Sequence, residues 1–299
     1  MPLSSKVRGA GSLQSFWQRA GRIERAACLV GALLLVSGLI HLGILVVGGG
    51  SWEGPVSLRK AMTFGLSFGL TLITIVWTAS WLPLGDRSRA ALLGTFTVAC
   101  VLETVLVSLQ AWRGVPSHFN IETTFDGFVA RTLAVGGVVL VAIVAALTIA
   151  AFRANPTVPI SLRVALRIGF VALFISLVVG ALMIGKGMRL VFAGEPQAAY
   201  ATGGTLKPTH AAAMHAILVI PLMAWLLSFA NWTERRRLAV VLLGAAGYLL
   251  VAAVIAVENY LGVAPADAPP AAVVLSVLGV LALLAAGSLT LTGVARAAR

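Results

Sequence analysis

Apolar residues in this chain come in long unbroken runs, not in the short periods of half-buried strands or surface helices. Eight runs stand out, at 26–48, 61–82, 90–112, 127–152, 164–185, 210–231, 238–258 and 270–294. A helix crosses the hydrocarbon core with about 20 apolar residues, whereas a membrane strand needs about ten and alternates. The pattern therefore predicts an all-α polytopic membrane helix bundle of about eight transmembrane helices. Trp52, Trp81, Trp112 and Trp232 fall at run ends, where indole rings rest at the lipid–water boundary. Gly65-x-x-x-Gly69 in the second run is a small-residue face for close helix packing.

No internal repeat or low-complexity linker divides the chain. It reads as a basic cytoplasmic segment, 1–25, followed by a single transmembrane domain, 26–299. Residues 12–26 mix Phe16 and Trp17 with arginines and fit an interfacial helix along the membrane surface. The first run follows this stretch without a small-residue cleavage site, so it reads as a retained helix and not a signal peptide.

Composition sharpens the class. Hydrophobic residues make up 59% of the chain and charged ones only 11%, against about half and about a quarter in a soluble domain. A soluble globular enzyme is excluded. The net charge of +12 and a pI near 11.2 would, taken alone, suggest nucleic-acid binding. Sorting the charges by side removes that partner. With the N-terminus inside, the inner segments carry 15 cations against Glu24, Asp86 and Glu234, and the outer segments and outer helix halves carry seven of each sign. The whole excess lies on one side, the positive-inside pattern. It predicts a multipass membrane protein with both termini cytoplasmic and the lipid bilayer as its partner. Cys28 and Cys100 lie in different runs at different depths and read as inert thiols.

The unusual polar residues gather in the outer layer. His41 lies about two turns below the outer end of the first run. Glu103 and Gln110 share a face of the third, seven residues apart. Arg131 follows Asp126 at the start of the fourth; His210 and His215 open the sixth; His118 lies in the second outer-side segment, from Arg113 to Asp126. Buried ionisable groups in a bilayer are costly and mark sites by default. Glu103 and Arg131, at similar depth, form either a structural clasp or, with Asp126, a catalytic set. His41 with His215 is the pair best matched in depth for a haem b, and His118 and His210 would complete a site for a transition metal such as Zn, Cu or Fe. His210 and His215 are five apart, about 140° around a helix, so a chelate from that pair alone needs an irregular turn. The outer segment 187–209, with Gly203-Gly204, reads as a long loop able to serve as a lid, and Pro208 as the start of the next helix.

The segments Ser51-Trp-Glu-Gly-Pro, Arg113-Gly-Val-Pro-Ser-His-Phe-Asn120 and His210-x4-His215 resemble a group of uncharacterised bacterial multipass inner-membrane proteins, over about residues 25–230. That resemblance implies the fold and the site and no reaction. Haem A synthases are similar in having eight spans and outer-face histidines, but theirs occupy both halves of the chain. Alkaline-ceramidase-like membrane hydrolases use an HxxxH helix, one residue shorter in spacing than the pair here. Three functions follow as expectations. The first is an outward-facing His/Glu/Arg pocket holding haem b or a metal, with redox activity. The second is a metal-dependent hydrolase or transferase acting on a lipid. The third is a proton-coupled transporter or sensor. Each takes its lipid or small-molecule ligand from the outer side.

Overall fold

The structure, a computed structural model, describes residues 13–298; Lys6 and Arg8 of the basic segment lie outside the described residues. A short helix α1 (Leu13–Arg19) precedes eight long ones: α2 (Arg22–Gly48), α3 (Leu58–Ala79), α4 (Asp86–Trp112), α5 (Thr124–Phe152), α6 (Ile160–Phe192), α7 (Pro196–Leu227), α8 (Glu234–Leu261) and α9 (Pro270–Ala297). All eight contain a stretch long and apolar enough to cross a membrane, and no strand occurs among the described residues. The chain is an all-α polytopic bundle, as its apolar runs predict. Residues 22–25 belong to α2, so the basic segment gives up its last turn to the first span.

Local chemistry sets the helix ends. Ser57, Thr123 and Thr233 each accept a backbone N–H from the first turn of the helix that follows, and Asp86, Asp126 and Glu234 add negative charge there, complementing the helix dipole. Gly49 and Gly262 close α2 and α8 at φ 63° and 70°, the left-handed cap that glycine adopts without penalty.

Consecutive helices pack side by side, and α3 also touches α7 while α6 touches α8. The α2–α3 contact is backbone to backbone. A Cβ on Gly65 would lie 2.6 Å from the Gly38 nitrogen, and one on Gly69 would lie 2.6 Å from the Gly31 carbonyl oxygen. The small-residue face read from Gly65-x-x-x-Gly69 is thus in use, met by two glycines of α2. Leu72, Ile75, Leu93, Leu147, Phe170 and Ile217 anchor the main core, and these positions sit toward the arginine-rich ends of their helices. The opposite half, called outer after the charge asymmetry of the sequence, holds only a small apolar cluster of Val107, Val129 and Leu133. Apolar packing fills one half of the bundle and leaves polar groups to the other.

Segment 187–209 departs from expectation. It is not a loop: α6 continues to Phe192, residues 193–195 turn the chain with Gly194 at φ 82°, and α7 begins at Pro196 and runs through Pro208. At 33 and 32 residues, α6 and α7 are each about 50 Å long, well beyond a core of about 30 Å. Their outer ends form a helical hairpin, and α6–α7 is the most extensive helix pair in the fold. Pro196 sits at a first-turn position where no N–H is needed. Beyond Pro208, the Thr209 N–H and hydroxyl both donate to Asn259 Oδ1 of α8, at 3.2 and 2.9 Å. The lid reading of this segment is withdrawn.

Candidate functional site

Three elements meet at the outer end: the start of α3, the 113–123 connection between α4 and α5, and the upper part of α7. The connection is shaped by two left-handed residues, Gly114 at φ 68° and Phe119 at φ 67°. A non-glycine residue in that region is held against its preference. Here the reward is placement: the Phe119 ring lies against Gly187 of α6, where any side chain would overlap it. Asn120 Oδ1 accepts the Glu122 N–H at 3.1 Å, bracing the same turn. The loop is thereby clipped to the α6–α7 hairpin.

Four ionisable side chains converge beside this loop. Lys60 stands in the first turn of α3, Glu103 in α4, His118 in the loop and Lys207 on α7. Lys60 lies within electrostatic reach of Glu103 and Lys207, and both lysines lie within reach of His118. Glu103 is 4% exposed. Its carboxylate rests against Gly136 of α5, where a Cβ would collide with Oε1. Among the described residues Glu103, Lys60 and Lys207 form no ion pair within 4 Å. His118 packs between Phe64 and Phe119, with ring centroids 5.8 and 6.1 Å away, and its Nδ1 lies 3.0 Å from Ser117 Oγ. Burial, reinforced by the two lysines, holds the His118 pKa well below its ordinary 6.5, so the imidazole is neutral at pH 7. The set therefore brings two lysines, one buried carboxyl group and one neutral imidazole together.

Of the residues singled out in the sequence, Glu103 and His118 belong to this set. The others are engaged elsewhere. His41 Nδ1 lies 2.8 Å from the Ser37 carbonyl, and its Nε2 accepts the Trp112 indole N–H at 3.0 Å. Both ring nitrogens are occupied, joining α2 to α4. His215 is exposed on the outside of the bundle, with Nδ1 on the Ala211 carbonyl of its own helix at 2.6 Å. His210 binds Ser176 of α6 through Nδ1, 2.7 Å from the carbonyl and 3.1 Å from Oγ. The expected His41–His215 haem pair and the four-histidine metal set are therefore not assembled. Among the described residues no group of three or more His, Cys, Asp and Glu is placed to hold a metal. As the side chains stand, the four histidines are committed to separate partners.

Asp126 and Arg131 are likewise spoken for. The Asp126 carboxylate accepts from Gln110 Nε2 at 2.8 Å, Arg113 at 2.5 Å and the Thr123 hydroxyl at 2.6 Å, while its own N–H donates to Thr123 Oγ1 at 3.0 Å. Arg113 also donates to Gln110 Oε1. A carboxylate holding three donors is a staple between α4 and α5, not a free general base. Arg131 is exposed and donates from Nε to the Gly127 carbonyl of its own helix at 3.0 Å; the Glu103–Arg131 clasp does not form. Lys60 and Lys207 were the missed residues. At the ends of apolar runs they pass for orientation charges. The sign of something more was that Glu53 alone sits near Arg59 and Lys60, and that Lys207 directly precedes Pro208 and His210.

No protein family matches the chain, and no curated protein and no solved structure matches it.

Proposed function

We propose that this multipass membrane protein resides in a bacterial inner membrane and binds an anionic group from the outer side. The ligand is a phosphate or carboxylate, carried by a lipid or by a small solute, and it sits between Lys60, Lys207 and His118. One observation carries this reading: two lysines without an ion-pair partner lie within electrostatic reach of each other and of His118, while Glu103 stands near Lys60 alone and Glu53, near Lys207, is already paired with Arg59 at 3.6 Å. Charge held near hydrocarbon is costly unless compensated, and two ammonium groups within reach of each other add mutual repulsion to that cost. A lysine serves well as a point charge toward phosphate. The neutral His118 adds a donor or acceptor, and Glu103 is the internal carboxyl group that competes with the ligand for Lys60. The inner halves of the helices are filled by the apolar core, which favours binding or sensing over conduction. Of the earlier expectations, a lipid or small-molecule ligand from the outer side is retained. A lipid hydrolase would take its general base from Glu103, because Asp126 is held by three donors.

The test uses the full chain purified in detergent. Inorganic phosphate, acetate and a short-chain phosphatidic acid are titrated while the unfolding temperature is followed. At least one of these anions raises it saturably in the wild type, and Lys60→Gln and Lys207→Gln each shift the half-point up about tenfold. A response in both variants equal to that of the wild type contradicts the reading. So does a Soret band, or stoichiometric transition metal, in the wild type that disappears in His41→Ala.

A further inference from the structure

At the arginine-rich end of the bundle, a groove of about 420 Å³ opens between α5, α6 and α8. Its wall is the α6 stripe Val164, Ile168, Val171 and Ile175, closed by Phe152 and Leu249, and its one charged lining residue is Arg167. Those α6 positions recur every three or four residues, one face of the helix. From Val164 to Ile175 they extend about 16 Å, close to the depth of one leaflet of a hydrocarbon core of about 30 Å.

The arginines near the mouth have no acidic partner within ion-pair distance among the described residues. Arg167 donates from Nε to the Ala151 carbonyl at 3.1 Å and lies 5.3 Å from the Phe152 ring. This fixes the guanidinium plane and leaves its terminal N–H groups for another acceptor. Arg163, one turn earlier, has a buried Nε without a partner. Arg153 adjoins Phe152. None of the three makes an ion pair among the described residues. Glu234, the acid of the neighbouring connection, is taken by the Ser161 N–H at 2.7 Å and by Arg237. A membrane-embedded slot with an apolar floor and an arginine fork at its polar end matches an acyl chain tied to a phosphodiester.

We propose that this groove is a specific site for one anionic glycerophospholipid. One acyl chain lies along Val164–Ile175, and the phosphate is held by Arg167 with Arg163 and Arg153 at the rim. Arginine suits this because its planar fork binds phosphate oxygens bidentately, and basic pockets on the positively charged side of membrane proteins select anionic lipids. The site is separate from the Lys60–Lys207 cluster, at the other end of the bundle, and stands or falls independently.

The full chain is reconstituted in nanodiscs containing a trace of phosphatidylglycerol or phosphatidylcholine with a photoactivatable acyl chain, and adducts are mapped by peptide mass spectrometry. Phosphatidylglycerol labels 164–175 and Leu249 about fivefold more than phosphatidylcholine, while labelling of the exposed face of α9 is equal for both lipids and serves as the reference. Arg167→Gln brings the groove signal down to the phosphatidylcholine level with the α9 signal unchanged. Ile175→Trp, which fills the slot and keeps the charge, lowers it as well. Excess unlabelled phosphatidylglycerol competes and inorganic phosphate does not. Equal labelling by the two lipids overturns the proposal, as does full selectivity retained in Arg167→Gln. Competition by inorganic phosphate equal to that by lipid overturns it too, because the site would then bind the free anion.

Discussion

Replacing Asp126 by Asn separates a structural carboxylate from a catalytic one. The substitution keeps the shape and removes the charge from a group that accepts from Gln110, Arg113 and Thr123. A hydrogen bond to a charged acceptor is worth about 1 kcal/mol more than one between neutral groups, so three such bonds amount to about 3 kcal/mol. The Arg113 side chain is 36% exposed against 3% for Asp126. Solvent screening weakens its share, and the working figure falls to about 2–2.5 kcal/mol. The Asn amide N–H₂ also faces donors, which prevents it from recovering the loss. The measurement is the free energy from reversible unfolding of the detergent-solubilised chain in dodecyl sulfate, for wild type and Asp126→Asn, with Thr123→Ala and the double variant closing a cycle. The expected result is a loss of about that size, strong coupling between positions 123 and 126, and unchanged anion binding per folded molecule. Undiminished stability together with lost binding would refute the staple and return Asp126 to the site.

Other perturbations read different parts of the structure. Gly65→Leu forces a side chain into a space where even a Cβ would lie 2.6 Å from the Gly38 nitrogen; separating α2 from α3 should cost at least about 2 kcal/mol in the same assay. His41→Phe removes the bond to the Trp112 indole and should cost about 1 kcal/mol, leaving visible absorbance and metal content as in the wild type. His118 sets a pH dependence. Its folded pKa lies well below the ordinary 6.5, so the unfolded chain takes up a proton that the folded chain refuses. Stability is then lost as pH falls below about 6.5, with a slope of up to about 1.4 kcal/mol per pH unit. His118→Gln should flatten that part of the curve between pH 6.5 and 5.

Helix number and the Gly65–Gly69 contact were legible in the sequence because each follows from apolar length or a short spacing. Segment 187–209 was not. Its Ala, Gly and Thr content carries no apolar run, and its helical state comes from the α6 and α7 extensions packing on each other, a tertiary contact that overrides local preference. The histidines teach a related lesson. Depth along a helix placed all four near one end, but rotation about the helix axis and the nearest acceptor decide what an imidazole does. His41 turned to Ser37 and Trp112, His210 to Ser176, and His215 to the outside. Glu103 stood out because a buried carboxylate needs a reason. Lys60 and Lys207 did not, since a lysine at a span end is ordinarily an anchor, and only the packing of α3 against α7 brings these two together.

The central claim is that the Lys60–Lys207–His118 set is an anion site with Glu103 as its internal competitor. Equilibrium dialysis with labelled inorganic phosphate on the purified full chain tests it directly, comparing wild type, the Lys60→Gln/Lys207→Gln double variant and Glu103→Gln. The prediction is opposite signs: binding at least about tenfold weaker without the lysines, and tighter without the carboxylate. Equal affinity in all three, or weaker binding in Glu103→Gln, would contradict it.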